Sequence, residues 1–197
     1  MFFQIILFFL LLSHLSASQA SSPHASICDE EVVAQKISEG IEMVPKVIYH
    51  WGQKKHMLEN AKKGRDEATK ELNLFLNEIK ENTGIPFERI FLFGFSQGCM
   101  MSLHLAPRKN EKIAGVIGIA GMLMQPELLE KEAVQKPPIL LVHGDEDDVV
   151  PYEELNIAAD TLVKANFEVY TLTSKGAGHS ITEDGLRAAL QFIKNIL

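Results

Sequence analysis

Apolar residues in this chain fall into two kinds of run. Ile90-Phe91-Leu92-Phe93, Ala114-Gly115-Val116-Ile117-Gly118-Ile119 and Ile139-Leu140-Leu141-Val142 are short and apolar throughout. Elsewhere apolar residues recur at steps of three and four or their sums: Met57, Ala61, Ala68, Leu72, Leu76 and Ile79, then Leu155, Ala158, Ala159 and Leu162, then Leu186, Ala189, Leu190, Ile193 and Ile196. The first kind predicts strands buried on both faces, the second amphipathic helices. Another helix is expected from Gln97 to about Ala106-Pro107, and Phe167 to Leu172 alternates like a strand. Gly84 and Pro86 stop the long first helix, Pro151 and Glu153 open a later one, and Ser180-x-x-Glu183 reads as a capping box for the last. Alternating strands and helices predict an α/β fold, a mostly parallel sheet with helices on both faces. Such sheets carry their sites beyond the carboxyl ends of the strands.

The amino-terminal part has a different character. Residues 5–12 form an unbroken apolar run, followed by small polar residues and the triplet Ser18-Gln19-Ala20. That order matches a secretory leader with its cleavage site, although no Lys or Arg precedes the run and the first basic residue is Lys36. The rival readings are a buried parallel strand ending near Ser13-His14 and a membrane anchor. Residues 1–20 are therefore set apart from a single domain over 21–197. Between Pro23 and Pro45 the chain is acidic and weakly patterned, with room for one short helix around 30–38.

Composition narrows the possibilities. The 197 residues carry 19 Lys+Arg against 26 Asp+Glu, a net charge of −7, which argues against generic nucleic-acid binding. Apolar residues are 46% and charged residues 23%, an ordinary globular mix. Two cysteines, Cys28 and Cys99, are too few for a disulfide framework or a cysteine-rich zinc site, and free thiols are expected. No apolar run reaches the roughly 18 residues of a membrane span.

Three strand ends carry chemistry. Gly94-Phe95-Ser96-Gln97-Gly98 is a G-x-S-x-G pattern between a predicted strand and a predicted helix. A serine on so tight a turn is thrust out of the sheet, beside the partial positive charge and free N–H groups of a helix start. Three aspartates, Asp145, Asp147 and Asp148, cluster after the 139–142 strand, and position alone does not choose among them. His179 lies on a glycine-bearing loop between the last strand and the last helix. A serine, an aspartate and a histidine in that order, at successive strand ends, is the arrangement of an α/β-hydrolase triad. The histidines show no spacing of the H-E-x-x-H type that would hold a metal.

With these motifs the chain resembles the phospholipase/carboxylesterase family of α/β hydrolases, which includes the acyl-protein thioesterases. The likeness lies in Ile90 to Gly98, in His143-Gly144-Asp145-Glu146-Asp147-Asp148-Val149-Val150-Pro151 and in Gly178-His179-Ser180, with weaker similarity at Glu42-Met43-Val44-Pro45 and Tyr49-His50-Trp51. It implies a nucleophile Ser96, an orienting Asp147, a base His179 and an oxyanion-binding backbone N–H at Gln97, with no cofactor. His143 is treated as structural. The resemblance also implies that Met122, Leu123 and Met124 line an acyl channel, and that the substrate is a small-molecule or lipidated-protein acyl ester or thioester. Related proteins are mainly cytosolic, against the secretory look of the leader. The family's early Leu-His-Gly-x-Gly loop, source of a second oxyanion donor, has only faint echoes at Leu12-Ser13-His14-Leu15-Ser16, while Ser22-Pro23-His24-Ala25 faintly resembles a later segment. Early strands are thus expected to be missing or altered, as in a truncated hydrolase or one whose first strands a leader has replaced. One lost donor costs about 10²–10³ in rate against about 10⁶ for a triad, which leaves a weakened enzyme. The alternative is an impaired or non-catalytic hydrolase-like fragment that binds lipid or a protein partner.

Overall fold

The computed structural model describes residues 6–11 and 57–197. The candidate leader cleavage site, the possible helix around 30–38, Cys28, the faint loop echoes and the motifs at 42–51 lie outside those residues. The described elements are β1 (Ile6–Leu11), α1 (Met57–Thr83), β2 (Ile90–Phe95), α2 (Gln97–Arg108), β3 (Gly115–Ile119), the single turn α3 (Leu129–Glu132), β4 (Ile139–Gly144), α4 (Glu153–Lys164), β5 (Val169–Ser174) and α5 (Glu183–Ile196).

The strands lie side by side in chain order, β1-β2-β3-β4-β5. Strands β2 to β5 are parallel, with Phe93 opposite Ile117 and Ile117 opposite Leu140. Strand β1 runs antiparallel to β2, with Leu7 opposite Gly94, so the strand reading of this run is corrected in direction. This is an α/β-hydrolase fold.

Side chains alternate across β2, β3 and β4, and both sides are covered, which is why these strands read as continuous apolar runs. Ile90, Leu92, Val116, Ile139 and Leu141 join one core with Leu76, Leu103, Leu129, Leu155, Ala158 and Leu162 from helices α1 to α4. Phe91, Phe93, Ile117, Ile119, Leu140 and Val142 join a second core with Ala189, Phe192 and Ile193 of α5. Three successive crossovers step the same way across the sheet, so their helices fall on one face. Among the described elements α5 alone packs on the other.

Two boundaries differ from expectation. The last strand begins at Val169 rather than Phe167. Asn166 adopts φ +63° after α4, and Phe167 donates its N–H to Leu162 O at 3.0 Å, so the buried Phe167 closes the helix. The last helix is capped by Thr182, not Ser180: Thr182 Oγ1 accepts from Gly185 N–H at 3.2 Å and is bonded to Ser174 Oγ at 2.8 Å. We expect Thr182→Ala to cost about 1 kcal/mol, lowering Tm by about 2–4 °C, and exposed Ser180→Ala to change stability by no more than about 0.5 kcal/mol. Thermal melts of the two variants check this.

Candidate active site

Ser96 sits between β2 and α2 with φ 53° and ψ −116°, a conformation that L residues seldom adopt. The turn is held by Ser96 N–H donating to Ile119 O at 2.8 Å and by Met100 N–H donating to Ser96 O at 3.1 Å. It closes so tightly that a Cβ at Gly94 would stand 2.2 Å from Gly98 O, so only glycine fits there. Gln97 begins α2, so its backbone N–H is one of the free donors at the helix start. Ser96 itself is 7% exposed.

The three aspartates that the sequence leaves equivalent have separate positions. Asp147 is buried, and its Oδ2 lies 2.8 Å from His179 Nδ1. Asp145 clamps the histidine loop: its Oδ1 accepts from Gly176 N–H at 2.6 Å, and its Oδ2 pairs with Lys175 Nζ at 3.4 Å. Asp148 is exposed. The two loops are joined further by Glu146 N–H donating to Ala177 O at 3.0 Å. A Cβ at Gly144 would lie 2.1 Å from Ala177 O, so glycine is what lets the loops meet.

Burial pushes the Asp147 carboxyl up, but hydrogen bonds from His179, Val150 N–H and Val149 N–H and the His179 charge outweigh it. The carboxyl is held below its ordinary 3.8 and is ionised at neutral pH. His179 also packs on Phe95, ring centroids 4.8 Å apart at 44°. Phe95 immediately precedes the serine, so this contact brings the histidine loop against the strand that carries Ser96. His179 Nε2 is buried and has no hydrogen-bond partner among the described residues, so the Ser96–His179 link is not made in this structure. Gln97 Oε1 is likewise buried and without a partner there.

Of the candidate channel residues, Leu123 is packed in the first core with Cys99 and Leu103, while Met122 and Met124 are half-buried on the loop after β3. Cys99 is free and buried, and burial pushes its thiol up to about 12, so it is protonated at neutral pH. Among the described residues no cluster of His, Cys, Asp or Glu could hold a metal ion, and no helix is long and apolar enough to cross a membrane. Sequence reasoning missed the Phe95–His179 contact and the Asp145 clamp. The first follows from adjacency to the serine; the second depends on a loop-to-loop approach that sequence spacing does not encode.

A serine on a strained turn after one strand and an aspartate–histidine pair after two later strands lie on an α/β-hydrolase fold. Within that class, the family model described as phospholipase/carboxylesterase matches residues 27–197, and the chain belongs to this family. Acyl-protein thioesterase 1 of Gibberella zeae is 32% identical over 130 residues, 64% of this chain and 54% of that protein. Acyl-protein thioesterase 1 of Neurospora crassa is 36% identical over 118 residues, 57% and 48% of the two chains. The chain spans about half the length of these relatives. The crystal structure of esterase PE8 superposes with a TM-score of 0.66 at 38% identity, covering 68% of this chain and 63% of that one. A phospholipase/carboxylesterase from Dyadobacter fermentans gives 0.57 at 28%, covering 66% and 63%.

Proposed function

We propose that this chain is a serine hydrolase that cleaves carboxylic esters or thioesters of acyl substrates, of the carboxylesterase, lysophospholipase or acyl-protein thioesterase type. The observation that carries the reading is the 2.8 Å contact between ionised Asp147 and His179 Nδ1, on a histidine packed against the residue next to Ser96. That contact fixes the proton on Nδ1 and leaves Nε2 as the base. His179 Nε2 takes the Ser96 proton as Oγ attacks the acyl carbonyl. The Gln97 N–H supports the oxyanion. His179 then protonates the departing alcohol or thiol, and water releases the acyl group by the same steps. The unmade Ser96–His179 link is compatible with this, because such bonds often tighten only when substrate is present. Half-buried Met122 and Met124 suit an acyl chain, being apolar and deformable.

A second reading, a non-catalytic chain that binds acyl groups, is favoured by that same unmade link. Treatment of the full chain with a fluorescent fluorophosphonate separates the two. We expect a covalent adduct whose mass maps to the peptide containing Ser96. A folded chain that takes no label sinks the enzyme reading and leaves the binder.

A further inference from the structure

We infer that His143 is a positioning residue for Asp147, an inference that rests on the reaction proposed above. Asp147 Oδ1 accepts from Val149 N–H and Val150 N–H, each at 2.9 Å. Oδ2 lies 2.8 Å from His179 Nδ1 and 3.2 Å from His143 Nε2. An ionised carboxylate offers about four lone-pair sites; three hydrogen bonds occupy it and His143 stands at the fourth side. His143 Nε2 also lies 3.0 Å from Val150 O, and a carbonyl oxygen only accepts. Nε2 therefore carries a hydrogen and donates it to Val150 O, with Asp147 Oδ2 in close electrostatic contact at 3.2 Å.

The imidazole cannot move to relax this arrangement. It is 1% exposed, it sits near the end of β4, and it stands edge-on to Tyr152 with centroids 6.2 Å apart. Tyr152 is tied by its hydroxyl to Thr173 Oγ1 at 2.7 Å. One N–H thus holds the turn through the carbonyl of Val150, the residue whose own N–H holds Oδ1, and stands beside Oδ2. Rotating Oδ2 away from His179 would break bonds on both carboxylate oxygens. His143 touches no reacting atom; it acts by holding the turn that holds the carboxylate facing His179.

The test uses the full chain, hydrolysis of p-nitrophenyl butyrate, and the low-field proton resonance of His179 Nδ1–H, assigned by its loss in His179→Gln. His143→Phe keeps ring volume and removes the donor. His143→Gln returns an amide N–H near the Nε2 position. We expect His143→Phe to lower kcat about 10–100-fold with KM little changed, and to broaden or abolish the resonance. His143→Gln should recover most of kcat and the sharp resonance. A folded His143→Phe with wild-type kcat and resonance would overturn the inference, as would His143→Gln failing as badly as His143→Phe. If circular dichroism shows His143→Phe unfolded, His143→Asn replaces it, its amide too short to reach Val150 O, with the same two outcomes. Should the wild-type chain neither hydrolyse esters nor take fluorophosphonate, the proposed reaction fails, and the resonance alone still decides the role of His143.

Discussion

Replacing Ser96 by Ala is expected to lower kcat for ester hydrolysis about 10⁶-fold, the usual cost of removing such a nucleophile. The fold should survive, because the turn is held by backbone bonds to Ile119 and Met100 that alanine keeps. Ser96→Gly should be equally inactive but more stable. At φ 53° and ψ −116° a Cβ is strained by about 1–3 kcal/mol, and glycine relieves it at a flexibility cost of about 0.5–1 kcal/mol. A net gain of about 1 kcal/mol corresponds to a rise in Tm of about 2–4 °C for a chain of this size. Calorimetry of wild type, Ser96→Ala and Ser96→Gly measures it. A glycine variant no more stable than the alanine variant would show that the turn stores no such strain.

The second large effect is expected from Asp147→Asn. The asparagine carbonyl would stay with Val149 N–H and Val150 N–H, which turns its NH₂ toward His179 and His143. His179 Nδ1 must then accept, its proton moves to Nε2, and Nε2 can no longer take the serine proton. The expected loss in kcat is about 10⁴-fold, measured with an activated ester at pH 7. Stability carries a sign that can be worked out. The folded carboxyl lies below its ordinary 3.8, so ionised Asp147 stabilises the native state above that value. The contribution disappears as pH falls through the lower, folded value. Urea melts should therefore show wild type ahead of Asp147→Asn at neutral pH, with the gap closing below about pH 4. An unchanged gap at low pH would mean that the carboxylate charge contributes nothing.

Much of this architecture is legible in the amino-acid sequence itself. Ile90 to Phe93 and Ile139 to Val142 are apolar at every position because cores lie on both sides, and such runs declare themselves. Ser96 and His179 are legible because glycines and strand ends surround them. What is not legible depends on contacts across loops. Asp145, Asp147 and Asp148 share one turn, and only its folding back over His143 decides that Asp147 meets His179 while Asp145 clamps Gly176. Ser180 satisfies the capping pattern, yet Thr182 has the Ser174 hydroxyl to lean on and takes the cap. Phe167 alternates with the strand that follows but is used to close α4. Leu123 stands between two methionines of the same character, yet it alone of the three is packed in the core, a choice that the local pattern does not encode.

The pairing of the second core with α5 has a consequence for biosynthesis. Among the described residues, the cover of Phe91, Phe93, Ile117, Ile119, Leu140 and Val142 comes mainly from α5, through half-buried Leu186, Ala188 and Ile196 and through buried Ala189, Phe192 and Ile193. These α5 residues follow every described strand along the chain, so they leave the ribosome after those strands have done so. Until then, among the described residues, one side of the sheet has its helices and the other lacks its own, open to any chaperone or neighbouring nascent chain. A stop codon after His179 but before Glu183 would leave every described strand and every proposed catalytic side chain encoded, yet remove α5 and the cover it gives this face.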